Sequence, residues 1–187
     1  MTLHSYVTHE EGAILYNAAK YATKGIVEIG SAYGRSAIYL AQGSRDGNNI
    51  PVYCIDPWTY TERGETKDLY EQFLHNTIRY KDLITPIREL SQDVAKTFTK
   101  EFDVLFIDGG HDYEQVKLDW ELWGCRIKSG RVLFHDIGRP ELTDEHTFAY
   151  SGGWTGPRKV FETLEKEGHL IEEHGNLGRV VIGDLGA

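Results

Sequence analysis

Asp108, His111 and Asp112 fall within five residues, in the stretch IDGGHD, and His135-Asp136 stand side by side in RVLFHDI. Each group closes an apolar run of the kind that forms a buried strand, FDVLFI in one case and RVLF in the other. If those two strands are neighbours, Asp108, His111, His135 and Asp136 share one rim of a sheet. Carboxylate oxygens and imidazoles converging there form a donor set for a divalent metal. Mg²⁺ prefers oxygen ligands and keeps waters, whereas Mn²⁺, Fe²⁺ and Zn²⁺ accept imidazole. The simpler alternative is that Asp108 caps the following turn and His111 bonds to backbone.

The elements that would position this rim alternate along the chain. A helix over about 9–22 places Ile14, Leu15, Ala18, Ala19 and Ala22 on one stripe, with Thr8 as N-cap and Glu11 completing a capping box. GIVEIG (25–30) reads as a buried strand, SAYG as a turn, and about 35–42 as a helix. A second strand, IPVYCID (50–56), precedes a polar helix over roughly 67–80 and a short strand near 84–88. Ser91 caps a helix over 92–98. The strand at 102–108 leads to a helix over 113–124 with Val116, Trp120 and Trp123 inward, and Gly130 opens the strand at 131–137.

Residues 138–156 form a long loop rich in glycine, polar residues and aromatics. A helix at about 158–166 follows, then strands near 169–173 and 178–183, joined through His174-Gly175-Asn176 with no room for a crossover helix. The pattern predicts one α/β domain over 1–187. It is a doubly wound, three-layer α/β/α Rossmann-like sandwich whose seven-stranded, mostly parallel sheet has an antiparallel C-terminal strand.

Composition narrows the partners. The net charge of −9 opposes binding to a phosphate backbone, which depends on clustered Lys and Arg, so no nucleic acid is expected. No apolar run approaches the roughly 18 residues of a membrane span, and MTLHSYVTHEEG lacks the features of a signal peptide. Cys54 and Cys125 form neither a CxxC nor a disulfide framework and read as buried thiols of a reducing compartment. The expected location is the cytoplasm. The tryptophans and tyrosines allow a homodimer without locating an interface.

The first strand ends in EIGSAYGRS, residues 28–36. Gly30 and Gly34 let the backbone turn tightly, and N–H groups around Arg35 and Ser36 face a ligand from a helix start. Ala32 stands where a dinucleotide fingerprint has its second glycine, which disfavours a pyrophosphate-bearing ligand. Asp56 closes the next strand, where a carboxylate can accept both hydroxyls of a ribose, and Pro57-Trp58 offer a rigid aromatic wall for a purine. A cap role for Asp56 and a packing role for Trp58 are the plainer alternatives.

With these residues assembled, the chain resembles a class I S-adenosylmethionine-dependent methyltransferase, EIGSAYGRS being similar to that superfamily's first motif. FIDGGHDYEQVKLD, GRVLFHD and the opening THEEGAILY resemble, more narrowly, the small bacterial enzymes grouped with macrocin-type sugar O-methyltransferases and cephalosporin hydroxylase-like proteins. The resemblance implies that Glu28, Gly30, Ser31 and Gly34 hold the methionine end of S-adenosylmethionine, with Thr8 near the carboxylate and Ser36 also among the cofactor-binding residues. It implies Asp56 at the ribose, Trp58 beside the adenine, and Ser91 and Gln92 at the adenine edge. Asp108 and Asp136 match the family's metal ligands. His135 stands where the sugar O-methyltransferases often have an acid, which leaves room for Mn²⁺ or Zn²⁺ beside Mg²⁺.

The implied chemistry is methyl transfer to a hydroxyl of a small molecule. A metal lowers the hydroxyl's pKa, and a histidine takes its proton. His111 is the first candidate base and His135 the second, with Asp108 between the two sites; either histidine can instead be a ligand. Phe148, Tyr150 and Trp154 of the 138–156 loop would form an acceptor lid, with residues about Tyr60 to Tyr70 as the opposite wall. Two other readings remain at this point: a non-catalytic protein that binds S-adenosylmethionine or a nucleotide, and an NAD-dependent oxidoreductase.

Overall fold

The four residues of β1 (Ile26–Ile29) are buried without exception, which requires a layer of helices on each face of the strand. The computed structural model of the chain, which describes residues 7–62, 65–138 and 154–183, supplies both layers. In chain order the elements are α1 (His9–Lys20), β1, α2 (Arg35–Asp46), β2 (Val52–Ile55), β3 (Thr59–Glu62), β4 (Glu65–Asp68), α3 (Tyr70–Thr77), β5 (Ile84–Ile87) and α4 (Ser91–Thr97). There follow β6 (Val104–Ile107), α5 (Tyr113–Trp123), β7 (Gly130–Phe134), α6 (Thr155–Lys166), β8 (Leu170–His174) and β9 (Leu177–Ile182).

The main sheet has the order β5-β2-β1-β6-β7-β9-β8. Strands β5, β2, β1, β6 and β7 are parallel, and β9 runs antiparallel between β7 and the edge strand β8. Strand order reverses between β1 and β6, so the ligand crevice of such a sheet lies past their carboxyl ends. One face packs on Leu15, Leu40, Trp58 and Phe73, and the other on Val94, Trp123, Phe134 and Phe161. The seven strands and the doubly wound order are those expected from the sequence.

Several local expectations are corrected. The helix anticipated from about residue 67 begins at Tyr70, and the residues before it pair as the antiparallel hairpin β3–β4. β-Branched Thr59, Thr61 and Thr66 favour that extended state over a helix. Ser91 does not cap α4. Leu90 is the cap residue, and the Ser91 hydroxyl instead donates to Asp119 at 2.5 Å. On α5, Val116, Trp120 and Trp123 face the core as expected, Trp120 half-buried against Phe134, and Asp119 is buried beside them. Cys54 is buried but Cys125 is exposed. Phe148 and Tyr150 of the anticipated lid lie outside the described residues, and of that loop only Gly138 and 154–156 are described.

Candidate active site

β6 and β7 are adjacent in register, Ile107 opposite Phe134, so the residues that follow them share a rim. His135 sits at its centre with its side chain fully buried. Its Nδ1 lies 3.3 Å from Asp108 Oδ1 and 3.4 Å from Asp136 Oδ1, and its Nε2 lies 3.4 Å from Glu11 Oε2. None of these contacts is aligned as a hydrogen bond, so both buried ring nitrogens lack a hydrogen-bond partner among the described residues. Burial alone would depress the imidazole's proton affinity, but the Asp108 charge and the contacts to Asp136 and Glu11 push its pKa well above the ordinary value.

His111 occupies the outer side of the same cluster, a third exposed, with Nε2 2.7 Å from Asp136 Oδ2. Burial opposes ionisation of Asp136, yet the hydrogen bond from His111 and the charges of His135 and His111 beside it hold it well below the usual carboxylate range. Burial raises the pKa of Asp108, against the pull of His135. One donor atom each from Asp108, His135 and Asp136 lies within 4.8 Å of the others, a spacing compatible with a shared cation. The sequence-predicted donors Asp108, His135 and Asp136 are therefore brought together, and His111 reaches them through Asp136.

Two residues of this site were not singled out as site residues from sequence. Glu11 was legible only as the acid of a capping box. That box is present, Thr8 N–H donating to Glu11 Oε2 at 2.7 Å, but the same carboxylate is buried and turned to His135. Asn176, read only as a turn residue, is buried and donates from Nδ2 to Asp136 Oδ1 at 2.7 Å, while its Oδ1 accepts from Gly138 N–H at 2.7 Å. No local signal marks either role, because each depends on a contact across the fold.

Past β1, the backbone is left-handed at Gly30 (φ 88°), Ala32 (φ 41°) and Gly34 (φ 87°). The space beside Gly30 is filled by protein, since a Cβ there would lie 2.0 Å from the Asp108 carbonyl oxygen. This glycine lets the β1 and β6 turns close on each other. Glu28 lies beneath the turn, wholly buried, accepting from Ser31 Oγ at 2.5 Å; burial raises its pKa to about 7. Ser31, Gly34 and Ser36 are also buried, and Thr8 is exposed.

Asp56 is half-buried and accepts from the backbone N–H groups of Ala32 at 2.9 Å and Trp58 at 2.5 Å. Trp58 is not a free wall. It is 1% exposed, packed on Tyr70 and Phe73, and its indole N–H donates to Ala32 carbonyl at 3.0 Å. Packing against α3 takes the ring that the sequence offered to a purine. Gln92 remains half-buried in the first turn of α4.

A family model described as a methyltransferase domain matches residues 27–137, the span from β1 to the Asp108–Asp136 rim. The chain belongs to this methyltransferase family. Among curated proteins, y4gI of Sinorhizobium fredii is 28% identical over 123 residues, 59% of this chain. The methyltransferase chain spans only 13% of that protein's length. Among solved structures, the SAH-bound methyltransferase PaMTH1 of Podospora anserina aligns with a TM-score of 0.68 and 19% identity, over 93% of this chain and 78% of its own. An O-methyltransferase from Bacillus cereus in complex with SAH aligns at 0.65 and 18% identity, over 96% and 84%. At such identities the likeness is one of fold.

Proposed function

We propose that the chain is an S-adenosylmethionine-dependent O-methyltransferase acting on a hydroxyl of a small molecule. The observation that carries this reading is the convergence of Asp108, His135 and Asp136, with His111 bonded to Asp136, beside the switch point of a methyltransferase-family sheet. The SAH-bound relatives support the cofactor. So does Asp56 at the end of β2, which bonds the backbone of Ala32 in the β1 turn and of Trp58, keeps lone pairs free and fits a ribose. The net charge of −9 favours a small acceptor over nucleic acid.

A divalent metal also fits. The buried His135 nitrogens without hydrogen bonds and the two aspartates are a mixed nitrogen and oxygen donor set, compatible with Mn²⁺ or Zn²⁺ as well as Mg²⁺. Asp108, His135 and Asp136 would hold it, and such an ion lowers the pKa of a hydroxyl beside it.

S-adenosylmethionine supplies a methyl group on a sulfonium. That methyl would pass to the acceptor oxygen, with the bonding pair left on the sulfur, and the hydroxyl proton must go to a base of this chain. In this reading His111 takes that role. With Nε2–H donated to Asp136 Oδ2, its Nδ1 keeps a lone pair for the proton. Asp136 then steadies the imidazolium that forms. Without a metal, His135, walled in by three carboxylates, carries the charge that balances them; with one it would give up that proton to ligate, and in neither state does it reach an acceptor.

Calorimetric titration with S-adenosylmethionine, on chelator-treated protein and again with Mg²⁺, Mn²⁺ or Zn²⁺, tests the reading. Micromolar binding is expected, together with a metal-dependent heat that Asp108→Asn removes. His111→Ala should bind cofactor as the wild type does. Absence of cofactor binding under every condition would overturn the proposal and leave the glycine turn to another ligand.

A further inference from the structure

Trp154 leaves 56% of its surface exposed beside the Asp108–Asp136 rim. It stands at the N-cap of α6, where Ser, Thr, Asp or Asn would be preferred, and it makes no side-chain cap bond. Helix formation therefore does not account for this side chain. Its placement is nevertheless firmly held. The Trp154 backbone N–H donates to the Asp136 carbonyl at 3.0 Å, and the indole stacks on His111 with centroids 4.8 Å apart and planes 25° apart. Two residues on, Gly156 approaches so closely that a Cβ there would lie 2.1 Å from the His111 carbonyl oxygen.

We infer that the open part of the Trp154 indole is the platform on which the acceptor's ring stacks, an aromatic or sugar ring that turns an edge hydroxyl toward His111 and the Asp108–Asp136 rim. The inference rests on the methyl-transfer reading and names the substrate class of that site. A tryptophan face holds flat rings through π stacking or through the C–H face of a pyranose, and holds flexible acyclic polyols poorly. His111 lies against the same indole, so a ring seated there comes within reach of the candidate base.

Saturation-transfer NMR tests this with catechol, methyl α-D-glucopyranoside and sorbitol as probes, on wild type, Trp154→Ser and Trp154→Phe, with S-adenosylhomocysteine affinity measured separately on each. Serine is a better N-cap, so Trp154→Ser removes the platform while favouring α6. At least one ring probe should bind the wild type, bind Trp154→Ser at least tenfold more weakly, and be largely restored by Trp154→Phe. Sorbitol should give no transfer, and S-adenosylhomocysteine affinity should not change. Preference for catechol marks an aromatic acceptor, and preference for the glucoside a sugar.

The inference is overturned if no ring probe binds the wild type, if Trp154→Ser binds the rings as well as wild type, or if sorbitol matches them. Loss of S-adenosylhomocysteine binding by the wild type, with Trp154-dependent ring binding intact, would instead sink the methyl-transfer reading and leave the platform standing.

Discussion

Asp136 adopts a left-handed backbone conformation (φ 60°), which aspartate tolerates better than most residues but which needs support from its surroundings. Asn176 provides it by gripping three successive residues. Its side chain bonds Asp136 Oδ1 and Gly138 N–H, and its carbonyl accepts from Ile137 N–H at 3.2 Å. Asn176→Ala leaves a buried N–H and a carboxylate oxygen short of partners, and should cost about 2 kcal/mol in urea unfolding. Asn176→Asp restores the acceptor for Gly138 but sets a second carboxylate against Asp136. It should be the worse variant at pH 7 and recover below about pH 5 as the pair takes up a proton. An Asn176→Asp protein as stable as Asn176→Ala at neutral pH would mean the amide does not hold Asp136.

At the scale of elements, α1 ties the N-terminal segment to the Asp108–Asp136 rim through one side chain with two duties. Glu11 closes the capping box with Thr8 and places its charge beside His135. Substitutions separate the duties. Thr8→Ala removes the cap hydroxyl and should lower stability by about 1 kcal/mol. Glu11→Gln keeps an acceptor for the Thr8 N–H but takes the charge from a buried imidazolium, and should cost on the order of 3 kcal/mol. Equal thermal midpoints for Glu11→Gln and wild type would show that His135 does not depend on α1. The capping box, the seven strands and the rim of Asp108 and Asp136 were legible because capping and periodicity are local properties of the chain. The His135 contact of Glu11, the grip of Asn176 and the burial of Trp58 were not, since each is decided by packing between distant segments. The β3–β4 hairpin was missed for another reason: its threonines carry a strand preference that helical spacing alone does not weigh.

Taken whole, the molecule places α4 and α5 side by side under the crevice, and their contact contains a buried polar pair. Asp119 of α5 is 1% exposed and accepts the Ser91 hydroxyl of α4, with Gly109 of the IDGGHD turn close by. Burial raises its pKa to about 6, against a lowering by Ser91. The folded protein thus holds this proton more tightly than an unfolded chain, whose aspartate titrates near 3.8. The stability that follows is complete below pH 3.8 and is lost as the pH climbs through 6, where a buried carboxylate must ionise. At pH 7 the deficit is at most about 3 kcal/mol, because each tenfold gain in proton affinity is worth roughly 1.4 kcal/mol. Asp119→Asn keeps an acceptor for Ser91 and never ionises, so its stability relative to wild type should rise from pH 4 to 7 and level off above. Urea unfolding of both proteins across pH 4–8 measures the difference. A flat difference over that range would mean that Asp119 titrates alike in the folded and unfolded chains, and that the α4–α5 contact carries no strain at neutral pH.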